Sequence, residues 1–158
     1  MAASCHTDKK TESLAYNTLL KAMLSDSVPV ISVKELGSNQ DEFTILDARE
    51  PGEYKVSRLP GSVHVGFENF NIESIPDMSK KSPIVVYCSV GYRSEKIGEH
   101  LTAAGFSNVR NLYGGIFEWI NQGQTVVNDG GIVSKIHPYN TFWSTWVSND
   151  SITVTKTE

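Results

Sequence analysis

Cys88-Ser89-Val90-Gly91-Tyr92-Arg93-Ser94 is the stretch of this chain whose residue types and spacing suit covalent chemistry. The apolar run Pro83-Ile84-Val85-Val86-Tyr87 before it reads as a strand covered on both faces. A helical pattern begins after it, near Ser94. A thiol between a strand and a helix start faces backbone N–H groups that lack intrahelical partners. Those donors and the helix dipole favour negative charge on sulfur. Gly91 permits a tight turn, and Arg93 adds a permanent positive charge. All three effects favour the thiolate, which is the attacking form of cysteine. An inert core cysteine needs neither Gly nor Arg in the following loop. Cys88 is therefore read as the nucleophile. Ser89, Val90, Gly91, Tyr92 and Arg93 are read as the loop that binds the transferred group.

The spacing narrows the reaction class. Four residues separate Cys88 from Arg93, one fewer than in tyrosine-phosphatase loops. The smaller ring of backbone donors suits one extra sulfur better than the oxygens of a tetrahedral phosphate. No second cysteine follows closely, which argues against thioredoxin-like dithiol exchange. Asp47 and Arg49 follow an apolar run and read as residues that support the site, beside Glu50. Ser94 reads as the helix cap and a donor to the loop. His6, His64, His100 and His137 are scattered without ligand spacing, so no metal site is expected.

Other elements must position that loop. The chain has 158 residues, which predicts one domain. Hydrophobic residues make up 39% and charged residues 20%, a globular balance. Lys and Arg total 14 against 18 Asp and Glu, and the net charge of -4 argues against a nucleic-acid partner. No run approaches the roughly 18 apolar residues of a membrane helix. Short β-type runs lie at 43–46, 62–65, 83–87 and 108–112, with a fifth at 28–31. Helices start near Pro51, Phe67, Ser94 and Gly115. This alternation predicts an α/β fold, a central mostly parallel sheet of about five strands with helices on both faces. Ligands bind such sheets at the carboxyl ends of strands, where Cys88 lies.

The two ends carry additions. Residues 1–10 are polar and small and read as disordered. Cys5 follows Ala2-Ala3-Ser4, like the tail of a lipoprotein signal, without the charged and apolar regions such a signal needs. A cytoplasmic protein is expected, with export and anchoring through Cys5 as the alternative. From Ser13 a helix places Leu14, Ala15, Leu19, Ala22 and Met23 on one stripe, widened by Leu20 and Leu24. That helix joins a domain spanning 11–127. Residues 128–158 form a C-terminal extension. Asn128-Asp129-Gly130-Gly131 signals a hairpin turn. Phe142, Trp143, Trp146 and Val147 recur at helical spacing, as a cover for the domain body. Ser148–Glu158 reads as a frayed tail.

From about Val30 to Val127 the chain resembles a single-domain rhodanese. Leu46-Asp47-Ala48-Arg49-Glu50 resembles the family's Asp-x-Arg-Glu motif, and Arg58-Leu59-Pro60-Gly61-Ser62 its His-Ile-Pro-Gly-Ala motif. Val85-Val86-Tyr87-Cys88 with Gly91 and Arg93-Ser94 resembles its active loop. Ala104-Gly105-Phe106 with Asn108-Val109, and Gly114-Gly115-Ile116 with Trp119, resemble its closing motifs. The resemblance implies a rhodanese-like fold and a sulfurtransferase that forms a persulfide on Cys88. A small anionic donor such as thiosulfate, or another persulfide, supplies the sulfur. Cyanide, a thiol or a protein accepts it, and no cofactor is needed. The alternative it allows is a sulfur-carrier or interaction module with little free turnover. Arg58 stands where the family often has His, in a position expected to set loop structure. The loop before Arg93 carries no charge, so only modest activity with dianionic thiosulfate is expected.

Overall fold

The structure is a computed structural model describing residues 11–156. Strands β1 (Val30–Ile31), β2 (Thr44–Asp47), β3 (Val63–His64), β4 (Ile84–Tyr87) and β5 (Val109–Leu112) form one sheet. Its order is β1-β5-β4-β2-β3 and every pairing is parallel. β4 is the central strand, and its four residues are all buried, as its continuous apolar run requires. The strand period of two divides those residues between two cores. Val85 and Tyr87 join Leu20 of helix α1 (Leu14–Met23), Leu36 of α2 (Val33–Ser38) and Ile116 of α5 (Gly115–Asn121). Ile84, Val86 and Cys88 join Ile97 and Leu101 of α4 (Tyr92–Ala103) on the other face. The expected α/β sheet with helices on both faces is present.

Local chemistry accounts for where the helices start. Ser13 caps α1 by accepting from the Tyr16 N–H, and Ser32 caps α2 by accepting from the Glu35 N–H. Helix α2 was not expected from the sequence, because six residues carry too little periodicity. Helix α3 (Pro51–Val56) begins with proline at its first position, where the missing N–H costs nothing. The helix expected near Phe67 does not form. That segment is a turn followed by a 3-10 turn at Ile72–Ser74, and Phe67, Phe70 and Ile72 pack against the α4-side core as single anchors.

The buried face of α1 differs from the expected stripe. Leu14 is 81% exposed, whereas Tyr16, Asn17 and Leu20 are buried. Polar partners select that face. The Tyr16 hydroxyl donates to the Gly114 carbonyl at 2.7 Å, and the Tyr113 hydroxyl donates to Asn17 Oδ1 at 2.9 Å. The Tyr16 ring also stacks on Trp146.

After α5 the expected hairpin appears as antiparallel β6 (Val126–Asn128) and β7 (Gly131–Val133). Arg58 exchanges backbone hydrogen bonds with Val127 and pairs with Asp129 at 2.6 Å, which ties the hairpin to the turn after α3. β8 (Lys135–Ile136), α6 (Thr141–Ser144) and β9 (Thr153–Val154) follow. The tail, expected to fray from Ser148, instead folds back, and β9 pairs in parallel with β8. Asn149 donates to the Ile120 carbonyl at 2.7 Å, and the Ser148 N–H donates to Asn121 Oδ1 at 2.8 Å. Polar side chains anchor this tail, so its hydropathy carried no signal of order. The expectations for residues 1–10 and Cys5 lie outside the described residues. Among the described residues, no helix is long and apolar enough to cross a membrane.

Candidate active site

The site begins where β4 ends. Cys88 is 1% exposed, and its sulfur accepts a hydrogen bond from the Gly91 N–H at 3.1 Å. Gly91 is the N-cap of α4 and has φ 125°, a value only glycine adopts without strain. Ser94, expected at the cap, sits inside the first turn. Its hydroxyl lies 3.4 Å from the sulfur and 2.6 Å from Asn111 Oδ1, and it has one proton to share between them. Asn111 Nδ2 donates to the Gly91 carbonyl at 2.9 Å. This fully buried amide on β5 therefore holds both the turn and the hydroxyl that face Cys88.

A second element clamps the loop from its other side. The first amides of α5 reach the loop carbonyls, Ile116 N–H to Cys88 at 2.9 Å and Phe117 N–H to Ser89 at 3.1 Å. Gly115 makes this approach possible. Its φ is +61°, and a Cβ there would overlap the carbonyls of Cys88 and Ser89.

Arg93 does not stand free beside the sulfur as the sequence suggested. Its guanidinium makes two 2.8 Å bonds to Glu53 of α3 and a third, at 3.0 Å, to the Ser89 hydroxyl. Ser89 in turn donates to Glu53 Oε1 at 3.0 Å, and the Glu50 N–H donates to Oε2 at 2.9 Å. Burial pushes the Glu53 carboxyl up, but the Arg93 hydrogen bonds and charge, the Glu50 N–H and Arg49 outweigh it. The carboxyl therefore lies below its ordinary range. Burial pushes the Arg93 guanidinium down. Its Glu53 hydrogen bonds and the charges of Cys88 and Glu53 outweigh that and hold it above its ordinary value. Arg93 is thus mainly an internal brace for the loop. Sequence reasoning missed Glu53 and Asn111, because their partners lie 40 and 20 residues away in the chain.

Asp47 and Arg49 are brought near the loop but do not line its cavity. Both are fully buried and pair at 2.7 Å. Arg49 also donates to the Ser57 carbonyl at 2.6 Å, and the Tyr87 hydroxyl donates to Asp47. They join the end of β2 to the last residue of β4. Among the described residues, no group of three or more His, Cys, Asp or Glu side chains could hold a metal ion.

A cavity of about 370 Å³ opens over Cys88, Ser89 and Val90. Its outer wall comes from both additions: Met23 of α1, and Tyr139 and Trp143 of the C-terminal segment. Glu50, Phe67 and Glu68 also line it. The Tyr139 ring lies over the Arg93 guanidinium, 4.7 Å from the ring centroid. Tyr139 has φ 66°, which costs a non-glycine residue about 1 kcal/mol. The ring contact and an N–H bond to His137 Nδ1 at 3.0 Å accompany that strained backbone.

Residues 32–122 match the family model described as a rhodanese-like domain. The chain belongs to the rhodanese-like domain family. The tRNA uridine(34) hydroxylase of Cytophaga hutchinsonii is 30% identical over 113 residues, which cover 65% of this chain and 36% of that protein. The chain spans 28% to 40% of the length of the hydroxylases it matches. Among solved structures, a rhodanese-related protein from Thermoplasma volcanium is 29% identical with a TM-score of 0.54, covering 63% of this chain and 97% of that one. Thiosulfate sulfurtransferase from Pseudomonas aeruginosa is 27% identical with a TM-score of 0.57, covering 70% of this chain and 22% of that one. Met23, Tyr139 and Trp143 all lie outside the family-matched segment.

Proposed function

We propose that this rhodanese-like domain is a sulfurtransferase that carries sulfane sulfur on Cys88. The thiolate attacks the outer sulfur of a donor. With thiosulfate, the sulfur–sulfur bond of the donor breaks as the new one forms, and sulfite leaves with the bonding pair. With a persulfide donor, a thiolate leaves instead. The Cys88 persulfide then gives its outer sulfur to an acceptor thiolate or to cyanide, and the Cys88 thiolate returns. The observation that carries this reading is the position of the sulfur. It lies at the carboxyl end of the central strand, on a cavity floor, facing the Gly91 N–H and the Ser94 hydroxyl. Donors placed there stabilise an anionic sulfur on either side of the transfer.

The test is intact mass after incubation with a sulfane donor. Both proteins compared carry Cys5→Ser, which removes the other thiol. The expected result is a gain of about 32 Da, one sulfur, where Cys88 is kept and none where it is Ser, at unchanged circular dichroism. No gain in the protein that keeps Cys88, or an equal gain in the one that lacks it, refutes the assignment. The hydroxylase relatives are named for a reaction on tRNA. For this chain we favour thiol acceptors over RNA, because its net charge is -4 and Glu50 and Glu68 line the cavity.

A further inference from the structure

We infer that the two terminal additions, together with Glu50 and Glu68, make this cavity selective for thiols or persulfides carried on an uncharged or cationic, apolar body, and that the two carboxylates disfavour small dianions. The inference rests on sulfur transfer at Cys88. It concerns the walls of the site, to which Met23, Tyr139 and Trp143 contribute from outside the family-matched segment.

Charge points this way first. The charged residues that line the cavity are Glu50, Glu68 and Arg93. Arg93 is already compensated, because both of its terminal nitrogens bond to Glu53. A dianion entering the cavity therefore meets two carboxylates and no uncommitted cation. Glu68 is exposed, and its N–H approaches Glu50 Oε1 at 3.4 Å, so the two acids share one side of the cavity.

Shape and polarity point the same way. Met23, Phe67, Val90, Tyr139 and Trp143 supply apolar and aromatic surface above the thiol. The volume of about 370 Å³ exceeds what a single sulfur oxyanion fills and falls within the range of small-molecule sites. Tyr139 keeps its position at the cost of a left-handed backbone. Trp143 is partly buried against the core, so its wall is backed by the domain rather than hanging free. An aromatic or aliphatic thiol would lay its body on this wall and present its sulfur to the floor. A cationic group would face Glu50 and Glu68.

The reaction with such an acceptor balances without an added redox partner. The acceptor thiolate attacks the outer sulfur of the Cys88 persulfide. The bond to Cys88 breaks, Cys88 leaves as thiolate, and the acceptor becomes the persulfide.

The experiment uses Cys5→Ser protein, so that Cys88 is its one thiol. It loads Cys88 with phenylmethane persulfide, whose outer sulfur passes to the Cys88 thiolate as phenylmethanethiolate leaves. The excess is removed, and loss of the added sulfur is followed by quenched intact mass. Phenylmethanethiol, cysteamine and the dicarboxylate mercaptosuccinate are compared at equal thiolate concentration. The expected rates for the first two exceed the third by about tenfold, the scale set by partial burial of an aromatic body and by repulsion of the carboxylates. Glu68→Lys should narrow the gap to mercaptosuccinate by about threefold, as expected for a two-unit charge change about one Debye length from a dianion. Glu68 is on the surface, so this variant does not put folding at stake. Trp143→Ala should slow phenylmethanethiol relative to cysteamine. Equal rates for all three thiols, with Glu68→Lys without effect, would overturn the inference while leaving sulfur transfer intact. A Cys88 that takes up no sulfur from phenylmethane persulfide overturns the transfer reading itself, and the selectivity with it.

Discussion

Replacing Glu53 with glutamine removes one negative charge and reverses half of a hydrogen-bonding pattern. Glu53 accepts four donors: both terminal nitrogens of Arg93, the Ser89 hydroxyl and the Glu50 N–H. A carboxylate can accept all of them, whereas a glutamine amide turns an N–H₂ group toward some. Side-chain exposure is 3% at Glu53 and 12% at Arg93, so water can replace little of the loss. Breaking one side of such a pair costs about 3 kcal/mol, the low end for buried pairs because Arg93 keeps some solvent. For a domain of this size that lowers the melting temperature by about 6–12 °C. A double-mutant cycle with Arg93→Met isolates the pair, and its coupling should exceed about 1.5 kcal/mol. The acid limb offers a separate check. The folded Glu53 carboxyl lies below its ordinary value of 4.5. Its contribution is therefore complete above that value and lost as pH falls through the folded one. The stability gap between natural protein and Glu53→Gln should shrink on acidification below about pH 4.5. A melting temperature within about 2 °C of the natural protein's, with additive single effects, would refute the brace assigned to this pair.

Three further substitutions test other parts of the site. Gly115→Ala must push a methyl into the carbonyls of Cys88 and Ser89 at a φ of +61°. It should destabilise by about 2 kcal/mol or more and slow sulfur loading, both measurable by denaturation and quenched mass. Asn111→Leu removes one of two partners from the buried Gly91 carbonyl and one of two from the Ser94 hydroxyl. The carbonyl keeps the Glu95 N–H and the hydroxyl keeps the Cys88 sulfur. The cost should therefore be that of two net hydrogen bonds, about 1–3 kcal/mol in all, and unchanged urea unfolding would count against the role given to Asn111. Asp47→Asn uncompensates a fully buried Arg49 and should cost about 3–5 kcal/mol in the same assay. The Asp47→Asn loss should appear in stability, because neither residue lines the cavity.

The sequence alone determined the sheet, its parallel sense and the loop that carries the thiol. The reason is locality. A buried parallel strand such as Ile84–Tyr87 must be apolar throughout, and the turn from it into α4 must hold a glycine where φ is 125°. Both requirements are written in adjacent residues. The same locality explains the hairpin at Asp129-Gly130. The tertiary structure alone decided which charges the site has and what roofs it. Arg93 reads as a free cation until α3 folds against the loop and supplies Glu53. Asn111 is an unremarked strand residue until β5 lies beside β4. Leu14 joins an apolar stripe on paper, yet Tyr16 and Asn17 turn α1 through their hydrogen bonds to Gly114 and Tyr113. Met23, Tyr139 and Trp143 meet above Cys88 although more than a hundred residues of chain separate the first from the other two. Periodicity reports a residue's neighbours along its own element. It carries no information about partners brought together by chain closure, and those partners set the charge and the walls of this cavity.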